Sequence, residues 1–239
     1  MILNLTNRFI LLLDVETAND TDCAIVYDIG FIIMNIYGNI YETGSFVIRD
    51  VFCYERKLME SAYYADKIPE YISDLRAGKR KMIDFMAAWR YINNLMKKYD
   101  CHTVAAYNCN FDKNALNNTL RYLSKSKYRW FFPYGTEFVC IWNMACSSIC
   151  ETGEYRTFAE LNRFYSNHEK NYKATAETVY AFISDEPNFN EEHKGYDDVL
   201  IERKIFIKCL EYGGAIMGIK RNCWQKVKRE ALRLAQNLC

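Results

Sequence analysis

The 239-residue sequence predicts an α/β domain of three layers around a mixed sheet. Short apolar and alternating runs come first, and helical spacings alternating with one further strand follow. That order places helices on both sides of a sheet. Residues 8–14 (Arg-Phe-Ile-Leu-Leu-Leu-Asp) read as a buried strand, because a short continuous apolar run has polar ends. Two more strands are expected over 25–36 and 40–48, with Tyr37-Gly38-Asn39 as the turn between them. Together these three open the sheet as an antiparallel meander.

The helices follow from apolar spacing. Ile83, Met86, Trp89, Ile92 and Met96 mark a helix over 83–98 that closes on Lys97-Lys98. A buried strand over 103–107 comes next, then a turn over 108–112 and a helix carrying Leu116, Leu120 and Leu123. Thr157-Phe158-Ala159-Glu160 reads as a capping box opening another helix, and 174–183 as a further short one. Val199, Arg203, Phe206 and Leu210 line a helix that Gly213-Gly214 ends. A basic amphipathic helix is expected over 224–238. No repeat, low-complexity tract or linker divides the chain, and the length suits one α/β domain.

Half the residues are apolar and 26% are charged, which excludes a disordered or fibrous chain. A net charge of +1 names no partner. From 201 to 239, however, Arg203, Lys204, Lys208, Lys220, Arg221, Lys226, Lys228, Arg229 and Arg233 face only Glu202, Glu211 and Glu230. Such a local excess suits a polyanion, or simply a solvated helix surface. The apolar run Phe9–Leu13 stops at Asp14, too short for a secretion signal or a membrane span. A cytoplasmic protein is therefore expected, with no membrane partner and with its ten cysteines reduced and packed as small apolar residues. A zinc site built from Cys140, Cys146, Cys150 and His168 is the rival reading, although no CxxC pair occurs.

Three elements carry candidate chemistry. Asp14 and Glu16 stand two apart on a strand, so both carboxylates project from one face. At the end of an apolar strand they suit a divalent cation with hard oxygen ligands, Mg²⁺ or Mn²⁺, unless the strand edge dips into solvent. Asp112 follows an apolar segment and precedes a helix, where it is either a helix cap or a group at the end of a sheet strand. His193 sits in a polar loop five positions before Asp198, which opens the next helix. A mobile base beside a fixed ligand and an ordinary surface histidine both fit that placement.

In this order the elements resemble the DEDDh 3′→5′ exonuclease family, whose members include polymerase proofreading subunits, RNase T and oligoribonuclease. Leu11 to Thr17 (Leu-Leu-Leu-Asp-Val-Glu-Thr) is similar to the first motif. Tyr27-Asp28-Ile29-Gly30 is similar to its E-I-G strand, with Asp for Glu. Ala106 to Asp112 resembles the H-N-x-x-F-D motif, and His193 to Asp198 the H-x-x-x-x-D motif. Ala18 and Gly195 depart from the usual residues at their positions. The resemblance implies an RNase H-like fold and an exonuclease domain over 1–212, with 213–239 packed on it or extending it. It implies two Mg²⁺, replaceable by Mn²⁺, held by Asp14, Glu16, Asp112 and Asp198, with His193 as general base. Nearby carboxylates are expected to raise the His193 pKa unless the metals offset them. Thr17, Ala18, Asn108 and Phe111 would meet the substrate, a single-stranded nucleic acid or a 3′ end, and nucleoside 5′-monophosphates would leave. Residues 125–134 interleave cations with aromatics, as single-strand binders do, or else supply core aromatics. An exoribonuclease or oligoribonuclease acting on RNA is the alternative, and a non-catalytic zinc-stabilised interaction protein a more distant one. A homodimer or a polymerase partner is left open.

Overall fold

The structure is a computed structural model and describes residues 8–125, 129–166, 170–220 and 222–229. Its centre is a six-stranded mixed sheet of β1 (Phe9–Ala18), β2 (Ile25–Asn35), β3 (Ile40–Ile48), β4 (Lys81–Ile83), β5 (Thr103–Ala106) and β6 (Glu137–Cys140). The strand order is β4-β3-β2-β1-β5-β6. β1, β2 and β3 form the expected antiparallel meander, and β4, β5 and β6 each join in parallel. β1 is therefore flanked on both sides, which suits its unbroken apolar run. Neither β4 nor β6 was expected, and both are short edge strands.

The helices are α1 (Arg49–Phe52), α2 (Arg56–Met59), α3 (Ile68–Arg76), α4 (Phe85–Lys98), α5 (Cys109–Ser124), α6 (Ile141–Ser147), α7 (Gly153–Leu161), α8 (Ala176–Ser184) and α9 (Gly195–Glu211). They divide into two layers. Leu11, Leu13 and Val15 of β1 pack with Tyr71 of α3, Phe85 and Ile92 of α4 and Leu116 of α5. Ile10 and Leu12 face the other way, toward Met144 of α6, Tyr155 of α7, Val179 of α8 and Phe206 of α9. The period of two along β1 therefore separates two cores and carries Asp14 and Glu16 onto the second face.

Several helix boundaries differ from expectation; Ile83, expected to open the helix over 83–98, ends β4, and that helix starts at Phe85. The segment Thr157–Glu160 lies inside α7, which opens on Thr152, five residues before Thr157; the Thr152 hydroxyl accepts the Tyr155 amide at 3.1 Å. The capping box sits instead on α8, where Thr175 and Thr178 satisfy each other's amides. The basic helix expected over 224–238 starts as a short 3₁₀ turn, Cys223–Val227, and residues 230–239 lie outside the described ones. Lys228 then pairs with Asn171 as an isolated bridge, the Tyr172 amide donates to the Val227 carbonyl at 2.9 Å, and the Cys140 amide to the Met217 carbonyl at 2.9 Å. The described part of 213–229 is thus laid against the α/β core. No described helix is long and apolar enough to cross a membrane.

One close approach sets the position of the last motif. Gly30 is the β2 partner of Asp14, and a Cβ there would lie 2.1 Å from the Gly195 carbonyl carbon. A Cβ on Gly195 would in turn lie 2.8 Å from the Gly30 amide nitrogen. Two glycines let the first turn of α9 rest directly on the sheet, beside the carboxylates of β1. Gly195, a departure from the family pattern, is required by this contact.

Candidate active site

The first turn of α9 brings Asp198 over the end of β1, where Asp14 and Glu16 project. Asp112 comes from the first turn of α5; the helix begins at Cys109, so the turn expected over 108–112 is mostly helix. The Val15 amide, between the two β1 acids, donates to the Asp112 carboxylate and ties α5 to the strand. All four acids and His193 line one cleft of about 870 Å³, the size of a ligand site rather than a packing void. Thr17, Asn108 and Phe111 line it too. Ala18 does not: its side chain is fully buried in the first core. One oxygen each of Glu16 and Asp198 and one ring nitrogen of His193 lie within 4.8 Å of one another.

His193 adopts a left-handed backbone conformation, with φ at 53°. Its ring stacks on Tyr64, with centroids 3.9 Å apart and planes 11° from parallel, and Nδ1 lies 4.0 Å from Glu191. Tyr64 belongs to the stretch between α2 and α3, for which the sequence suggested no role. The His193 pKa moves opposite to expectation: burial lowers it, and Lys67 adds to that effect. The pull of Glu177, Asp66 and Glu192 in the other direction is weaker. Tyr196, two residues before Asp198, lines a different surface hollow with Arg80 and Tyr91.

The electrostatics are dominated by unpaired acids. Burial raises Asp14 well above the usual carboxylate range, and Glu202, Asp112, Asp198 and Glu16 add like-charge repulsion. Burial likewise raises Glu16, with Asp198 the next cause. Asp112 and Asp198 are pushed up to about 7 by burial, against the pull of backbone amides. Glu191, in the loop before His193, is pushed up to about 8 by burial, with Asp198 and Glu177 adding to it. Lys170 and Lys173 also line the cleft, but among the described residues the leading influences on the four motif acids are burial, other acids and backbone amides. A buried Asp198 Oδ1 also lacks a hydrogen-bond partner. Buried like charges are costly unless a cation joins them. Hard oxygen donors suit Mg²⁺ or Mn²⁺, so the residues present fit such ions.

Sequence reasoning missed two acids here, Glu191 and Glu202. For Glu202 a signal existed: it falls on the apolar stripe of α9, between Val199 and Phe206, and is buried there. Of the basic-aromatic segment, Phe131 and Phe132 are core, while Trp130 is exposed beneath the Arg121 guanidinium at 5.0 Å. Ser126, Lys127 and Tyr128 lie outside the described residues. Lys208, Lys226 and Arg229 are paired with Glu211, Glu151 and Glu160, so part of the C-terminal basic excess is locally neutralised. Cys140, Cys146 and Cys150 are buried free thiols, and His168 lies outside the described residues.

The sequence matches no protein-family model and no curated protein. Solved structures do match. The fold is similar to that of E. coli exonuclease I. Against the zinc-bound exonuclease I complex with single-stranded DNA, the TM-score is 0.52 at 13% identity, covering 86% of this chain and 42% of that one. Against the complex with a dA16 oligonucleotide the values are 0.53, 13%, 84% and 41%. Against the dT13 complex they are 0.52, 14%, 85% and 41%. This chain therefore spans less than half the length of the exonuclease I chains it matches. The likeness is one of fold, a six-stranded mixed sheet with helices on both faces.

Proposed function

We propose that the protein is a divalent-cation-dependent 3′→5′ exonuclease that releases nucleoside 5′-monophosphates from single-stranded DNA. The observation that supports it most is the convergence of Asp14, Glu16, Asp112 and Asp198 from three separate elements into one cleft, where burial and mutual repulsion raise their carboxyls. The single-stranded DNA bound to structures of similar fold supports the choice of substrate.

In this reading Asp14, Glu16, Asp112 and Asp198 hold two Mg²⁺, or Mn²⁺ in their place. Such ions, when bound, stabilise charge on a scissile phosphate and on the leaving oxygen. His193 takes the proton from the attacking water. Burial beneath Tyr64 lowers its pKa, so the ring is neutral and able to accept a proton at pH 7. The left-handed backbone at His193 and the stack on Tyr64 hold the ring over Glu16 and Asp198. Thr17, Asn108 and Phe111 line the same cleft and contact the terminal nucleotide; Phe111 offers an aromatic face, against which bases stack.

The test is the end requirement. With Mg²⁺, a 5′-blocked single-stranded oligonucleotide should be degraded like an unblocked one, while a 3′-blocked one and a circle should persist. Cutting of the circle would reduce the reading to an endonuclease. Faster loss of RNA of the same sequence would move the substrate to RNA.

A further inference from the structure

Beneath the four motif acids lies a fifth. Glu202 follows Asp198 by four residues on α9, so the two side chains share one face of the helix and point to the same end of the sheet. Its side chain lines the cleft with Asp14, Asp112 and Asp198, yet the residue is only 3% exposed. The Tyr107 amide, at the end of β5, donates to its carboxylate. Its Oε2 is buried and without a hydrogen-bond partner.

A buried carboxylate of this kind has two ways to be tolerated. Protonation would make it a neutral acid, whose O–H would need an acceptor. A cation would satisfy Oε2 directly. Asp198 Oδ1, one helical turn away, is orphaned in the same manner. Two unpartnered carboxylate oxygens on one helix face, opening on one cleft, require the same complement.

We propose that Glu202 is a further oxygen donor of the cation site, so that this cleft holds its divalent ions with five carboxylates rather than four. The inference rests on the cation site of the proposed nuclease and adds to it a residue that the motifs do not include. The number of charged ligands sets cation affinity, so an added carboxylate should make the site bind Mn²⁺ and Mg²⁺ more tightly.

The experiment is calorimetric titration of the full chain with Mn²⁺ alone, beside thermal melts in EDTA and in Mn²⁺. Wild type, Glu202→Gln and Asp14→Asn are compared. Glu202→Gln should weaken Mn²⁺ by about tenfold or more, the scale on which lost support of a metal site is felt. In EDTA it should melt at or above the wild-type temperature, because one buried charge is gone, and Mn²⁺ should raise its melting temperature less. A purely structural Glu202 would leave Mn²⁺ affinity unchanged. If Asp14→Asn weakens Mn²⁺ while Glu202→Gln binds within twofold of wild type, the role of Glu202 is refuted and the nuclease reading stands. If neither substitution weakens Mn²⁺, both fall. Should Glu202→Gln not fold, Glu202→Asp decides by the same criterion, since it keeps the charge and shortens its reach. Wild-type affinity in that variant would also overturn the inference.

Discussion

Two buried carboxylate regions sit on neighbouring strands and are built in opposite ways. Asp28 on β2 is fully buried; its Oδ1 has no hydrogen-bond partner, as at Asp198 and Glu202, but its Oδ2 accepts from Tyr71 at 2.7 Å, from Arg80 at 3.0 Å and from the Gly195 amide at 3.2 Å. Arg80, only 6% exposed at its side chain, also reaches Asp74 and Asp197. Asp28 therefore anchors the first turn of α9 and the region after α3 to the sheet. Asp14, Glu16, Asp112, Asp198 and Glu202 line the cleft with Lys170 and Lys173, yet none is within ion-pair distance of a Lys or Arg among the described residues. Burial raises the pKa in both regions, but only at Asp28 does a guanidinium push back. The difference teaches that burial alone does not set an acid's surroundings: a guanidinium sits against Asp28, while in the cleft the nearest charges on Asp14 are other acids.

The largest expected effect breaks the second region alone. Asp14→Asn or Asp112→Asn should keep the fold and lower nuclease activity by about 10³-fold or more, since a lost ligand to a catalytic cation costs several kcal/mol. Near wild-type turnover by purified Asp14→Asn would remove the assignment. His193→Ala should slow single-turnover cleavage by about 10²–10⁴-fold while leaving oligonucleotide binding intact, as loss of a general base does. Tyr196→Phe, in the other hollow, should have little effect. The reverse pattern would exchange their roles.

The first region should respond in stability. Arg80→Ala leaves the Asp28 charge buried beside Tyr71 with no counter-ion. Breaking such a pair costs about 3–5 kcal/mol. For a chain of this size that is a fall of about 10 °C in melting temperature. A loss below about 1 kcal/mol would show that the two regions are not built differently.

The smallest effect follows from pH. Asp112 and Asp198 titrate near 7 in the fold, above their ordinary 3.8. The stability they contribute is full below about pH 4 and is lost as pH rises through 7, because the folded state holds the protons more tightly. Cation-free protein should thus melt several degrees lower at pH 8 than at pH 5, and Mg²⁺ should cancel the drop. A cation-free melting temperature that is flat or rising over that range would contradict the account.

Much of this was legible because periodicity is a physical constraint. The unbroken run Phe9–Leu13 could only be a strand covered on both faces, and 25–48 could only be a hairpin once Tyr37-Gly38-Asn39 broke it. The motif acids were readable from their order along the chain. β4 and β6, with three and four residues, are too short to carry a pattern. The Thr157–Glu160 box misled because a capping signature inside a helix is indistinguishable from one at its start. Tyr64 was illegible: its stack on His193 joins residues 129 positions apart, and neither local sequence marks it. The direction of the His193 shift was missed for the same reason, since burial against a distant segment outweighs the nearby acids. Glu202 was legible and passed over, an acid in an apolar stripe.

The most direct measurement is anomalous diffraction from crystals of the protein soaked in Mn²⁺. The account expects strong peaks bounded by Asp14, Glu16, Asp112 and Asp198, within reach of Glu202, and none beside Asp28. Crystals with fully occupied Mn²⁺ elsewhere and no peak among these carboxylates would contradict it.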